Sequence, residues 1–140
     1  MKRLIIPAIL ALLLPLLSCD RENQCHISIG ITNFNIEPDA AYYQGLNNVG
    51  GYMYFVGGNR GVVIIRTSYN DFVAYERTCP HDNNSAVEVS EEYGSAILEC
   101  PVCHSCFVVE SDGIPIDGSA TSCQLYQYST MYTGGKLYVY

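Results

Sequence analysis

From position 52 onward, short runs of β-branched and aromatic residues alternate with clusters of glycine, asparagine and aspartate. Residues 52–56 and 62–65 form two such runs, and Gly57-Gly58-Asn59-Arg60-Gly61 between them has the composition of a hairpin connection. Ser68-Tyr69-Asn70-Asp71 reads as a turn and is followed by a third run over 72–76. Residues 96–99 and 107–109 follow, each ending near a cysteine or a Gly/Asp turn. Residues 124–128 and 137–140 close the chain around Gly134-Gly135-Lys136. No segment keeps a helical period over three turns. The pattern predicts an all-β domain, a small antiparallel sandwich or barrel.

The stretch before position 52 is different. Residues 20–51 are polar, weakly periodic and rich in turn residues, with Pro38, Gly45 and Asn47-Asn48-Val49-Gly50-Gly51 as the clearest. Within it, His26-Ile27-Ser28-Ile29-Gly30-Ile31 alternates as a strand does, with His26 as an ordinary strand residue. The expectation is a tether plus a first strand or two. Ahead of it, Lys2 and Arg3 precede an apolar run over 4–17 interrupted by Pro7 and Pro15. That run is too short for a permanent membrane helix, which needs about 20 residues. It ends in Leu16-Leu17-Ser18-Cys19, which resembles the lipobox of bacterial lipoproteins; an ordinary secretory signal is the alternative. The resemblance implies that residues 1–18 are a signal peptide, that Cys19 is lipidated and that the protein is anchored in the bacterial cell envelope. The chain then divides into 1–18 signal, 19–51 lipid anchor, tether and first strand, and 52–140 the folded domain.

Composition sharpens this division. With 140 residues, 49% hydrophobic and 15% charged, the chain has length for one domain with a real core. Seven Lys and Arg stand against fourteen Asp and Glu, a net charge of −7, and removal of Lys2 and Arg3 with the signal leaves −9. So acidic a chain lacks the basic face that nucleic-acid binding by phosphate neutralisation requires. Its membrane contact should come from lipid and not from a basic patch.

Seven cysteines are many for this length. Two boxes concentrate the chemistry: Thr78-Cys79-Pro80-His81-Asp82, directly after the run 72–76, and Glu99-Cys100-Pro101-Val102-Cys103-His104-Ser105-Cys106-Phe107. Thiolates with imidazole in C-x-H and C-x-x-C pairs on separate loops have metal-ligand spacing, because a tight turn can aim both side chains of a pair at one ion. Glu91-Glu92 reads as a solvated turn, and no carboxylate pair of catalytic character or small-molecule substrate site is visible.

These boxes resemble those of the Rieske 2Fe–2S proteins, in which C-x-H and C-x-x-H place two thiolates on one iron and two imidazoles on the other. Cys79-Pro80-His81 fits the first box, and eighteen residues separate His81 from Cys100. Cys100, Pro101, Ser105 and Phe107 fall on the second without a gap, and Asp112-Gly113-Ile114-Pro115 and Gly118-Ser119-Ala120-Thr121 resemble the family's later loops. The resemblance covers roughly 52–140 and implies a 2Fe–2S cluster, two cluster-binding loops and one-electron transfer as a ferredoxin-like component of an oxidoreductase system, working with an unidentified redox partner protein. It breaks at one place: Cys103 stands where the family has its second histidine, and His104 stands where it has glycine. The favoured ligand set is Cys79, His81, Cys100 and Cys103, with His104 as the alternative fourth ligand. Ser105 occupies the position whose hydroxyl bonds a cluster sulfur in high-potential relatives. The competing reading is a Rieske-like lipoprotein that has lost the cluster, is stabilised by disulfides or zinc, and serves as a binding or structural module. By analogy with the family's shielding loop, a Cys106–Cys123 disulfide is expected; Cys25 is left paired or free.

Overall fold

The computed structural model describes Cys25 and residues 27–140; the signal, Cys19 and His26 lie outside the described residues. Eleven strands follow in chain order: β1 Phe34–Ile36, β2 Tyr52–Phe55, β3 Val62–Arg66, β4 Phe72–Glu76, β5 Glu88–Ser90, β6 Gly94–Glu99, β7 Cys106–Val108, β8 Ile114–Pro115, β9 Gln127–Tyr128, β10 Thr130–Thr133 and β11 Lys136–Val139. Every pairing is antiparallel, in three sheets of order β1-β11-β10, β2-β3-β4-β9 and β5-β6-β7-β8. The all-β reading holds.

The sheet containing β3 is the middle layer, and its sequence says why. Successive strand residues point to opposite faces. Val63, Ile65 and Tyr75 face one side and pack with Val87, Leu98, Phe107, Val109 and Leu125. Val62, Ile64, Phe72 and Ala74 face the other and pack with Ile36, Leu46, Tyr128, Leu137 and Val139. Both faces of β3 are covered, so Val62-Val63-Ile64-Ile65 is a continuous apolar run without polar alternation. The metal-ligand candidates Cys79 and Cys100 belong to the first of these layers.

The stretch read as a tether enters the fold. β1 pairs with β11, and Leu46, in the short 3-10 segment Ala41–Leu46, is fully buried. The first strand lies at 34–36 and not over 26–31. There Ile29 and Ile31 are exposed and residues 27–31 form no strand, because no sheet edge meets the alternating pattern. Buried Arg66, at the end of β3, ties this segment down by donating to Asp39 Oδ1 at 2.7 Å and to the Leu46 carbonyl at 2.9 Å.

At the other end of the β3–β4 hairpin sits Glu76, whose side chain is completely buried. Its carboxylate accepts from the amides of Asn59 (2.7 Å), Arg60 (2.9 Å) and Thr78 (3.0 Å) and from the hydroxyls of Thr78 (2.8 Å) and Tyr128 (2.7 Å). Burial pushes its pKa up, but these donors outweigh burial and hold it below the ordinary 4.5. Gly58, at φ +60, comes so close that a Cβ there would collide with this carboxylate.

Removing the carboxylate orphans several buried donors at once. Glu76→Ala is therefore expected to cost about 4 kcal/mol and Glu76→Gln about 2 kcal/mol. Because the folded-state pKa lies below the unfolded one, this stabilisation is complete above about pH 4.5 and is lost as pH falls below it. Urea unfolding at pH 7 and pH 4 checks both points: the Gln variant should lose less stability between the two pH values than the native chain.

Candidate metal centre

The first loop leaves β4 directly after Glu76. Thr78, fixed by that carboxylate, bridges to Ala86, and Cys79 N donates to the Ser85 carbonyl at 3.0 Å. Ser85 N in turn donates to the Asp82 carbonyl at 2.9 Å, closing a turn over 79–85. The second loop joins β6 to β7. Cys100 N donates to the Ser105 carbonyl at 3.0 Å and His104 N to the Cys100 carbonyl at 2.9 Å, which curls 100–105 into a tight turn. His104 sits in it at φ +55, in the left-handed region that favours glycine.

The two turns bring the sulfurs of Cys79, Cys100 and Cys103 within 4.8 Å of one another. Cys79 Sγ and Cys103 Sγ are 3.6 Å apart, and Ser85 Oγ of the first loop lies 3.5 Å from Cys100 Sγ of the second. Cys79 and Cys100 are fully buried and Cys103 is half-buried. Backbone amides point at the sulfurs: Asp82 N donates to Cys79 Sγ at 3.4 Å. Burial above all, with Cys100 and Cys103 alongside, pushes the Cys79 thiol up to about 12. Cys100 is also penalised by burial, but the amides of Cys103 and Val102 and the Ser85 hydroxyl outweigh it and hold this thiol below the ordinary range. The surroundings of the two buried thiols thus differ: Cys100 is eased toward ionisation and Cys79 is held against it.

The remaining expected residues divide sharply. His81 is exposed on the first loop and does not join the three sulfurs. His104 also turns outward: its side chain is 75% exposed and Nδ1 lies 3.3 Å from Glu99 Oε1. Ser105 is fully buried, with Oγ 3.2 Å from Cys103 Sγ. Ser105 Oγ thus accepts from the Cys103 thiol and, at 3.0 Å, from Ala120 N.

The expected Cys106–Cys123 disulfide is not formed. Cys123 is bonded to Cys25, with the Cα atoms 5.5 Å apart, and Cys106 is free. Alternation along β7 explains it. Phe107 points into the core, so Cys106 points the other way, where Glu99 and Glu92 help raise its thiol pKa after burial. Ser85, Ala120 and the Cys25 partnership were missed because each acts across loops distant in sequence; only the presence of an unassigned Cys25 hinted at the last.

As donors, the residues suit an iron–sulfur group. The thiols are soft ligands, they are surrounded by amide and hydroxyl donors that offset thiolate charge, and an imidazole stands two residues from Cys79. A 2Fe–2S cluster takes two protein ligands on each iron, so the three sulfurs would be shared between two irons and His81 would have to turn inward to supply the fourth ligand.

Comparison with known proteins agrees with this chemistry. No curated protein matches the chain. Among solved structures, the ferredoxin of carbazole 1,9a-dioxygenase from Nocardioides aromaticivorans IC177 is similar at TM-score 0.45 and 20% identity, over 66% of this chain and 86% of that one. A complex of reduced oxygenase and oxidized ferredoxin in carbazole 1,9a-dioxygenase gives TM-score 0.45 and 22% identity, over 64% and 80%. The family model of the Rieske [2Fe-2S] domain matches residues 46–128, more than half of the chain and both cysteine loops. The chain belongs to the Rieske [2Fe-2S] domain family.

Proposed function

We propose that the protein is a one-electron carrier of the bacterial envelope, anchored through lipid on Cys19, with Cys79, His81, Cys100 and Cys103 as the ligands of its 2Fe–2S cluster. The observation that carries this reading is the convergence of three thiols from two loops, within 4.8 Å, in a domain of the Rieske family. When bound, the cluster supplies a one-electron couple.

This chain's residues set the conditions for that couple. Cys79 and Cys100 come from buried loop bases and offer a rigid, water-poor pair. Cys103 is favoured over His104 as fourth ligand by backbone geometry. The residue after the family's second histidine is a glycine, and it is His104 that adopts the left-handed conformation. This supports Cys103 as the ligand, since its sulfur lies with those of Cys79 and Cys100 whereas His104 points at Glu99. A thiolate in place of an imidazole adds negative charge, which opposes the incoming electron and favours a low potential. The Ser105 hydroxyl at 3.2 Å offsets part of that charge. Exposed His81, Pro101 and Val102 leave the metal end open to a partner. The Cys25–Cys123 disulfide supports an oxidising compartment, as the envelope reading requires.

The full-length chain, produced with iron–sulfur assembly, should carry about two iron and two sulfide per chain and give a paramagnetic signal on reduction. About one zinc and no iron would instead assign the three thiols to a structural site, and a folded metal-free chain would sink the carrier. Single substitutions separate the two candidate fourth ligands. Cys103→Ala should lose iron. His104→Gly should keep it and gain about 1 kcal/mol, since glycine relieves the left-handed residue while the exposed pair with Glu99 contributes little. Iron loss in His104→Gly, with a normal unfolding midpoint, would make His104 the ligand.

A further inference from the structure

The Cys25–Cys123 disulfide fastens the incoming chain at a particular place. Cys123 lies in the loop 116–124, which covers the second cysteine loop. In that loop Ser119 Oγ accepts from Cys106 N at 3.2 Å and lies 3.3 Å from the Cys106 carbonyl oxygen. Ala120 N holds Ser105 Oγ, which touches Cys103 Sγ. The N-terminal chain therefore joins the body at the end of the domain that carries the thiols.

Chain length turns this attachment into an orientation. Five residues lie between Cys19 and Cys25, which makes six Cα-to-Cα steps. At the greatest extension of a polypeptide they reach about 21 Å. A domain of this size is about 35 Å across. A lipid on Cys19 would thus hold the Cys123 loop closer to the bilayer than the width of the domain, and the opposite end cannot turn down to the surface. Without the disulfide, the first fixed points are the Gly30 carbonyl, 3.0 Å from the Tyr128 hydroxyl, and Thr32 Oγ1, which accepts from Gly58 N at 3.1 Å. The eleven residues from Cys19 to Gly30 reach about 39 Å, enough to let the domain roll over.

We propose that the Cys25–Cys123 disulfide orients the anchored domain with its thiol-bearing loops toward the bilayer, so that the surface around His81, Pro101 and Val102 serves a redox protein of the same membrane. The inference rests on the lipid-anchor and carrier reading given above. Charge argues for a protein at that surface instead of the lipid itself. Glu91, Glu92, Glu99 and Asp117 surround the second loop and its cover, in a mature chain of net charge −9. An anionic leaflet repels such a face, while a partner with a basic rim attracts it.

The test uses the full-length lipidated protein in vesicles of phosphatidylcholine and phosphatidylglycerol that contain an acceptor-dye lipid. A fluorescent amino acid is placed either at Asp117, on the loop over the thiols, or at Tyr69, in the turn at the far end of the β3–β4 hairpin. Energy transfer should be roughly threefold stronger from position 117 than from position 69, given a reach shorter than the domain's width. A Cys25→Ser/Cys123→Ser double variant should lose the contrast. So should a chain with about ten Gly/Ser residues inserted between Asp20 and Cys25, which lengthens the reach to about 56 Å and leaves the disulfide and fold intact. Equal transfer from the two positions, or a contrast that survives the insertion, overturns the orientation. Stronger transfer from position 69 overturns it too and points the loops to a soluble partner. Mass spectrometry separates the two levels: a chain without lipid on Cys19 overturns the anchor reading and this one with it, whereas a lipidated chain with equal transfer overturns this one alone.

Discussion

A carboxylate with no access to water holds the site end of this domain together. Glu76 gathers five donors from three separate parts of the chain: the hairpin loop at Asn59 and Arg60, the start of the first cysteine loop at Thr78, and Tyr128 of β9. An unpaired buried charge would be ruinous, but one with its lone pairs occupied fixes the position of everything that donates to it. Asn59 extends the network by donating from Nδ2 to Thr78 Oγ1 at 3.0 Å. The base of the Cys79 loop is thereby set by electrostatics, while its far side is set by the packing of Val87 and Leu98 in the core.

Rigidity on this scale suits an electron carrier. The two cysteine loops are closed by their own backbone hydrogen bonds and meet through Ser85 and Cys100. The third loop, held by Ser119, Ala120 and the disulfide, covers the second. Donors already aimed at the sulfurs need little rearrangement when charge at the site changes, which is the condition for fast transfer and for a potential fixed by structure.

Legibility in the sequence followed the range of the interactions concerned. Val62-Val63-Ile64-Ile65 could be read as a strand because its two buried faces leave an uninterrupted apolar run. The cysteine boxes could be read because the two candidate ligands of each lie within three residues of one another. Strands β5 and β8, of three and two residues, are too short to show a period, and the run 124–128 contributes only β9, which pairs with β4 while β10 takes the place beside β11. The alternation of Ile27, Ile29 and Ile31 imitated a strand that no partner completes; Ile31 is 98% exposed. The burial of Glu76 could not be read locally, because it depends on a hairpin loop sixteen and seventeen residues earlier. The partner of Cys123 lies 98 residues away, and no local pattern could select Cys25 over Cys106.

The three thiols can ionise together only against their mutual repulsion and, for Cys79, against burial. Cys100 is eased toward ionisation by its amides, yet each further thiolate meets the first within 4.8 Å in a buried setting. Cys79 registers that opposition: burial and its two sulfur neighbours all raise its pKa, against the pull of the His81 and Asp82 amides. A bound metal group would reverse the sign of the local field and let thiolates that otherwise repel one another act as ligands. Amides alone could serve one thiolate. Three thiols at this spacing, with Ser105 and Ser85 beside them, are what the proposed metal site requires, although Cys79 and Cys100 also pack in the core.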